Sequence, residues 1–80
     1  MYLTDHLEKL RYFYEVAKMG SMKKASESIF ITQPSLTKSI KILEEAIGKP
    51  LFIRLPRGVQ LTAEGDLLLQ FSYYTSSYTA

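Results

Sequence analysis

A mainly helical domain, with a two-stranded hairpin between its third and fourth helices, is the fold class this sequence predicts, and three observations predict it. Apolar residues recur at alternating steps of four and three in three separate segments. Helix-capping residues open the segments, and two β-prone runs flank a Pro-Arg-Gly turn. At 80 residues, 46% of them apolar and none of them cysteine, the chain is one small domain near the lower limit at which a single core folds unaided. It has room for a binding surface and little for an enclosed catalytic cleft.

Leu3, Leu7, Leu10, Tyr14 and Ala17 recur at helical spacing, with Phe13 and Val16 widening the stripe. Thr4 is placed to cap this helix, Asp5 lies in its first turn and Gly20 suits a left-handed end, so it is expected over about residues 5–19. Ser21 is the candidate cap of a second helix of about two turns, with Met22, Ala25, Ser26 and Ile29 facing inward; a helix that short holds only when packed. Thr32 caps the third helix. Pro34 falls in its first turn, where the missing N–H costs nothing, and Gly48-Lys49-Pro50 ends it. Two helices about four residues apart, the second opened by Gln33-Pro34, read as a helix-turn-helix.

Drawn at about 100° per residue, Leu36, Ile40, Leu43 and Ile47 lie within about 40° of Leu36, whereas Thr37, Lys41, Pro34, Glu45 and Lys38 span about 100–200°. One face goes to the core and the other presents hydroxyls and ammonium groups. Leu51-Phe52-Ile53-Arg54-Leu55 and Val59-Gln60-Leu61 then form the hairpin around Pro56-Arg57-Gly58, a wing with Arg54 and Arg57 near its tip. Thr62 caps a last helix, with Glu64 and Asp66 near its positive end. Leu67, Phe71, Tyr74 and Tyr78 continue the four-three-four spacing as a seam expected to meet another chain. Residues 72–79 all carry hydroxyls and are mediocre helix formers, so this end is expected to fray or to need a partner. The whole is a winged helix-turn-helix: a three-helix core and wing over residues 1–62, and the start of a linker or dimerisation helix over 63–80.

The formal net charge of +2 is unevenly spread. From Lys18 to Arg57 eight cations face three anions, a local net of +5, while residues 1–17 sum to −1 and residues 58–80 to −2. A basic middle between acidic flanks fits either an ordinary solvated face or a surface built for an anion, of which nucleic acid is the commonest. Apolar runs such as residues 67–69 fall far short of the roughly 18–20 residues of a membrane span, and no basic-then-apolar signal region opens the chain. The lone His6, a solvated first-turn residue in this reading, cannot build a zinc site, and there is no thiolate to help it. Neither a cofactor, a metal nor a catalytic group is expected, and a cytosolic setting fits. The Tyr12-Phe13-Tyr14 cluster reads as helix packing rather than a stacking platform for single strands.

Gln33 opens the third helix, where its carboxamide offers a donor and an acceptor together, the geometry suited to adenine, or else is simply solvated. On the same face the Pro34 ring can pack on a thymine methyl, and Thr37 offers a hydroxyl or a methyl. Lys38 and Lys41 most simply neutralise phosphates, with a solvated face the alternative for Lys41. Ser21 and Thr32 are caps first and phosphate donors second; Lys23 and Ser35 complete the candidate DNA-binding set. Arg54 and Arg57 can reach backbone or a minor groove, although Arg54 could equally be held in an ion pair with Glu44 or Glu45.

Gly20-Ser21, Ala25, Thr32-Gln33-Pro34-Ser35-Leu36-Thr37, Ile40, Leu43-Glu44, Gly48, Leu51-Phe52, Arg54 and Leu61-Thr62-Ala63-Glu64-Gly65 stand in an order that resembles the N-terminal DNA-binding domain of the LysR-type transcriptional regulators. The match covers roughly residues 7–70. Departures are Ser26, where the family usually has a second alanine, Lys38, where arginine is common, and the hydroxyl-rich tail; lysine lacks the planar fork of arginine for base readout. The resemblance implies sequence-specific binding of double-stranded DNA, with the third helix, about residues 33–47, in the major groove and both wing arginines beside DNA. It further implies a homodimer joined through the fourth helices on a partly palindromic operator, and an effector-binding domain that these residues do not contain. The competing expectation is a winged helix used for protein–protein assembly, its basic face serving an acidic partner.

Overall fold

The computed structural model describes the backbone of residues 2–79 and the side chains of residues 7–71. Six elements follow in the expected order: α1 (Tyr2–Met19), α2 (Met22–Ser28), α3 (Gln33–Ile47), β1 (Phe52–Leu55), β2 (Gly58–Leu61) and α4 (Ala63–Thr79). α1 packs on α2 and α3, α2 on α3, and α4 against α1 and β2. None of the described helices is long and apolar enough to cross a membrane.

The caps arise from local chemistry. Ser21 is extended (φ −160°, ψ 131°) and its Oγ accepts from the Lys24 amide at 3.2 Å. Thr32 does the same for Ser35 at 3.3 Å, and Thr62 for Gly65 at 3.0 Å. Each satisfies one of the orphan amides of a first turn, a contribution of about 1 kcal/mol. Gly20 and Gly48 are left-handed, as their helix ends require. Thr4 is different: α1 already begins at Tyr2, so Thr4 lies inside the helix rather than capping it, and the expected start near residue 5 is corrected to residue 2.

Phe13, Val16, Met22, Ala25, Leu36, Ile40, Leu43, Leu51 and Phe52 form the buried core. The Phe13 and Phe52 rings, 5.2 Å apart and tilted by 40°, fasten the hairpin to α1. Two residues expected inside are exposed: Leu7 at 56% and Ile47 at 43%. The core line of α1 runs instead through Phe13 and Val16. α2 has only 7 residues and α1 is about 27 Å long, so α2 cannot cover its first half. Ile47 is the last residue before the left-handed Gly48, one turn beyond Leu43, where the neighbouring helices no longer cover α3. Tyr12 and Tyr14 are half-buried beside Phe13. Burial, followed by the Glu8 carboxylate that accepts its hydroxyl, raises the Tyr12 phenol above its ordinary value. Ser26 is buried where an apolar residue would be simplest, and its hydroxyl donates to the Lys23 carbonyl at 2.7 Å, so no polar group is orphaned.

α2 ends in a hydrogen bond from the Ile31 amide to the Ser26 carbonyl at 3.1 Å, with Phe30 left-handed (φ 60°) at the position glycine normally fills. Phe30 is 93% exposed, so its ring contributes little burial. A left-handed non-glycine costs roughly 1–2 kcal/mol, partly offset by the flexibility glycine adds to the unfolded chain. Phe30→Gly is therefore expected to stabilise the domain by about 0.5–1 kcal/mol in urea unfolding. An unchanged or lowered midpoint would contradict this.

β1 and β2 pair antiparallel from Phe52↔Leu61 to Leu55↔Gly58, leaving Pro56-Arg57 as the turn. The Val59 amide donates to the Gly20 carbonyl at 3.1 Å. Gly58, at φ 96°, passes so close beneath that carbonyl that a Cβ would fall 2.3 Å from its oxygen. The turn end of the wing is thus pinned to the α1–α2 turn, directly before the cap of α2.

Candidate nucleic-acid interface

Burial of Leu36, Ile40 and Leu43 orients α3, so Gln33, Pro34, Lys38 and Lys41 are exposed and Thr37 is half-buried. Gln33, Pro34, Thr37, Lys38 and Lys41 line one shallow open depression. A second depression is walled by Ser21, Met22, Lys23, Gln33, Arg54, Leu55, Gly58 and Val59, where the start of α2, the start of α3 and the wing converge. Gln33 belongs to both and joins them into one surface. Lys23, Lys38, Lys41 and Arg54 place four cations on it, and its lining contains no carboxylate. Such a surface favours a polyanion.

The wing lies alongside the exposed face of α3 in a definite register. Steps of four and seven set Gln33, Thr37 and Glu44 along one edge of α3. The Glu44 Oε2 accepts from the Leu51 amide at 2.7 Å and the Phe52 amide at 3.2 Å. Arg54 Nη2 donates to Thr37 Oγ1 at 3.4 Å. Leu55 then shares the second depression with Gln33. β1 therefore runs antiparallel to α3, from its C-terminal half at Glu44 to its first turn at Gln33.

The ion pair considered for Arg54 does not form. The Glu44 carboxylate is engaged by two backbone amides, and the guanidinium turns to Thr37 instead of forming an ion pair with Glu44 or Glu45. Pro50 has no amide to offer, which makes residues 51 and 52 the first donors after the Gly48-Lys49-Pro50 turn. That spacing is the signal by which the Glu44 clamp could have been found. The cleft walls Met22, Leu55, Gly58 and Val59 carry no such signal, because apolar and glycine residues advertise nothing about a surface.

The remaining candidates are placed as follows. Thr32 and Ser35 are exposed at the start of α3, where the Thr32 hydroxyl is committed to the Ser35 amide. Arg57 stands exposed in the turn at the wing tip and lines neither of these two depressions. On α4, Leu68 and Leu69 pack on the core, whereas Leu67 is 66% and Phe71 63% exposed. These two share one face four residues apart; the side chains of Tyr74 and Tyr78, like that of His6, lie outside the described residues.

Three comparisons bear on this arrangement. The family model described as "Bacterial regulatory helix-turn-helix protein, lysR family" matches residues 7–66. The chain is 48% identical over 60 residues to the HTH-type transcriptional regulator BudR of Klebsiella aerogenes, covering 75% of this chain and 42% of that protein. To the Hca operon transcriptional activator HcaR of Escherichia coli it is 44% identical over 64 residues, 80% of this chain and 22% of the other. The chain thus spans less than half the length of these relatives. Its fold superposes on the crystal structure of the BenM_DBD/catB site 1 DNA complex with a TM-score of 0.86 at 37% identity, covering 91% of this chain and 82% of that one. The CbnR_DBD-DNA complex gives 0.84 at 32% identity, with 90% and 83% covered. With the family model matching residues 7–66 of its 80, the chain belongs to the lysR family of bacterial regulatory helix-turn-helix proteins.

Proposed function

We propose that this chain is the DNA-reading part of a transcriptional regulator, binding double-stranded DNA in a sequence-specific manner as a homodimer, with no enzymatic activity of its own. The observation that carries the reading is the continuous carboxylate-free surface joining the exposed face of α3 to the turn end of the wing. α3 enters the major groove, where Gln33, Pro34 and Thr37 meet base edges and Lys38 and Lys41 meet phosphates. Ser21, Lys23, Thr32 and Ser35 hold the flanking backbone, and Arg54 and Arg57 carry the contact along the wing. Residues 1–62 read the operator. Residues 63–80 begin the helix whose Leu67–Phe71 face, continued by Tyr74 and Tyr78, pairs with a second copy, which matches a partly palindromic site. An effector would be sensed by parts of such a regulator beyond these residues, and the setting is the cytoplasm.

The test is selection of bound duplexes from a random pool, followed by anisotropy titrations on the winning and scrambled sequences. A partly palindromic consensus is expected. Gln33→Ala is expected to relax discrimination at one base pair by about 1–3 kcal/mol, and Lys41→Ala to weaken all duplexes alike while lowering the salt slope by about one. Equal affinity for winning and scrambled duplexes would reject DNA readout and favour a protein-assembly role.

A further inference from the structure

We infer that Arg54, although carried by the wing, is a positioning residue for base readout that acts through the Thr37 hydroxyl; this rests on the DNA-reading function proposed above. Arg54 Nη2 donates to Thr37 Oγ1 at 3.4 Å, and Arg54 shares its depression with Gln33. The guanidinium therefore lies among the side chains of the recognition face and not only at the wing. Its position is imposed by the backbone, since the Glu44 carboxylate holds the Leu51 and Phe52 amides and so sets where β1 passes α3.

A hydroxyl has one hydrogen and two lone pairs. With one lone pair taken by Arg54, the Thr37 hydroxyl keeps its hydrogen directed away from the guanidinium and one further lone pair beside that cation. Thr37 is then presented as a donor, beside a cation that repels any other incoming donor. In the major groove guanine offers acceptors at N7 and O6, adenine at N7 and thymine at O4, whereas cytosine offers only its amino donor. The pair thus selects against cytosine at the base Thr37 touches. Without Arg54 the hydroxyl is free to rotate and accept, and cytosine becomes tolerable.

The experiment compares selections from a random duplex pool by the wild-type chain, Thr37→Val, Arg54→Ala, Arg54→Lys and the Thr37→Val/Arg54→Ala double variant, each checked for an unchanged melting transition. Thr37→Val and Arg54→Ala are expected to raise cytosine frequency at the same base pair of each half-site by about tenfold, and the double variant to add nothing further. Arg54→Lys keeps a donor and a charge and is expected to restore part of the preference. A phosphate contact alone would weaken every duplex equally and leave the base preference unmoved. That result, or additive effects at two different base pairs, overturns the inference while leaving DNA readout intact. A wild-type chain that enriches no duplex overturns both.

Discussion

Gly65→Ala is expected to destabilise the domain by about 3 kcal/mol, lowering the thermal midpoint by about 10–20 °C. Helix propensity argues the other way, since alanine is favoured over glycine inside a helix by about 1 kcal/mol. Packing decides the sign. A Cβ on Gly65 would fall 2.2 Å from the Leu51 carbonyl oxygen, 2.9 Å from Leu61 Cδ2 and 3.1 Å from the Leu51 carbonyl carbon. The Leu51 carbonyl cannot retreat, because it accepts from the Thr62 amide at 3.0 Å. The Thr62 hydroxyl is itself tied to the Pro50 carbonyl at 2.7 Å while accepting from the Gly65 amide. Relief therefore requires the first turn of α4 to lift off the chain entering β1, and the dimer arm proposed for α4 would change direction with it. A midpoint equal to or above that of the wild type would show that this junction is looser than its hydrogen bonds imply.

Glu44→Ala is the second large effect. One carboxylate oxygen holds two part-buried amides, Leu51 at 2.7 Å and Phe52 at 3.2 Å. Removing it leaves both without that partner, at about 2–4 kcal/mol given the usual worth of hydrogen bonds to a charged group. Glu44→Gln keeps an acceptor of similar reach without the charge and is expected to lose about half as much. Urea unfolding of the two variants orders them; values within about 0.5 kcal/mol of the wild type for both would reduce Glu44 to an ordinary surface residue. Because the clamp sets the register of β1 along α3, Glu44→Ala should also blunt any discrimination that depends on Arg54.

Much of this was legible in the residues. The caps at Ser21, Thr32 and Thr62 are bonds between a side chain and an amide three positions on, so sequence spacing contains the whole interaction. The order of helices and hairpin follows, as does the polar face of α3, because periodicity reports direction around an axis. Periodicity says nothing about how far along that axis a neighbour reaches. Leu7 and Ile47 have the right phase and remain exposed because nothing extends over them.

The contacts that assemble the candidate site are of another kind. Glu44 to Leu51 and Phe52, Arg54 to Thr37, Val59 to Gly20 and Gly65 against Leu51 all join separate elements. Family resemblance marked Glu44, Arg54 and Gly65 without saying which residues of this chain they touch, and the reading of residues alone offered Arg54 a carboxylate. Local chemistry was sufficient for where α2, α3 and α4 start, for which face of α3 is apolar and for the basic middle of the chain, but not for the start of α1. That the wing and α3 line one surface was decided by packing. A bond that crosses between elements depends on where the chain returns in space, and spacing along the chain does not encode that distance.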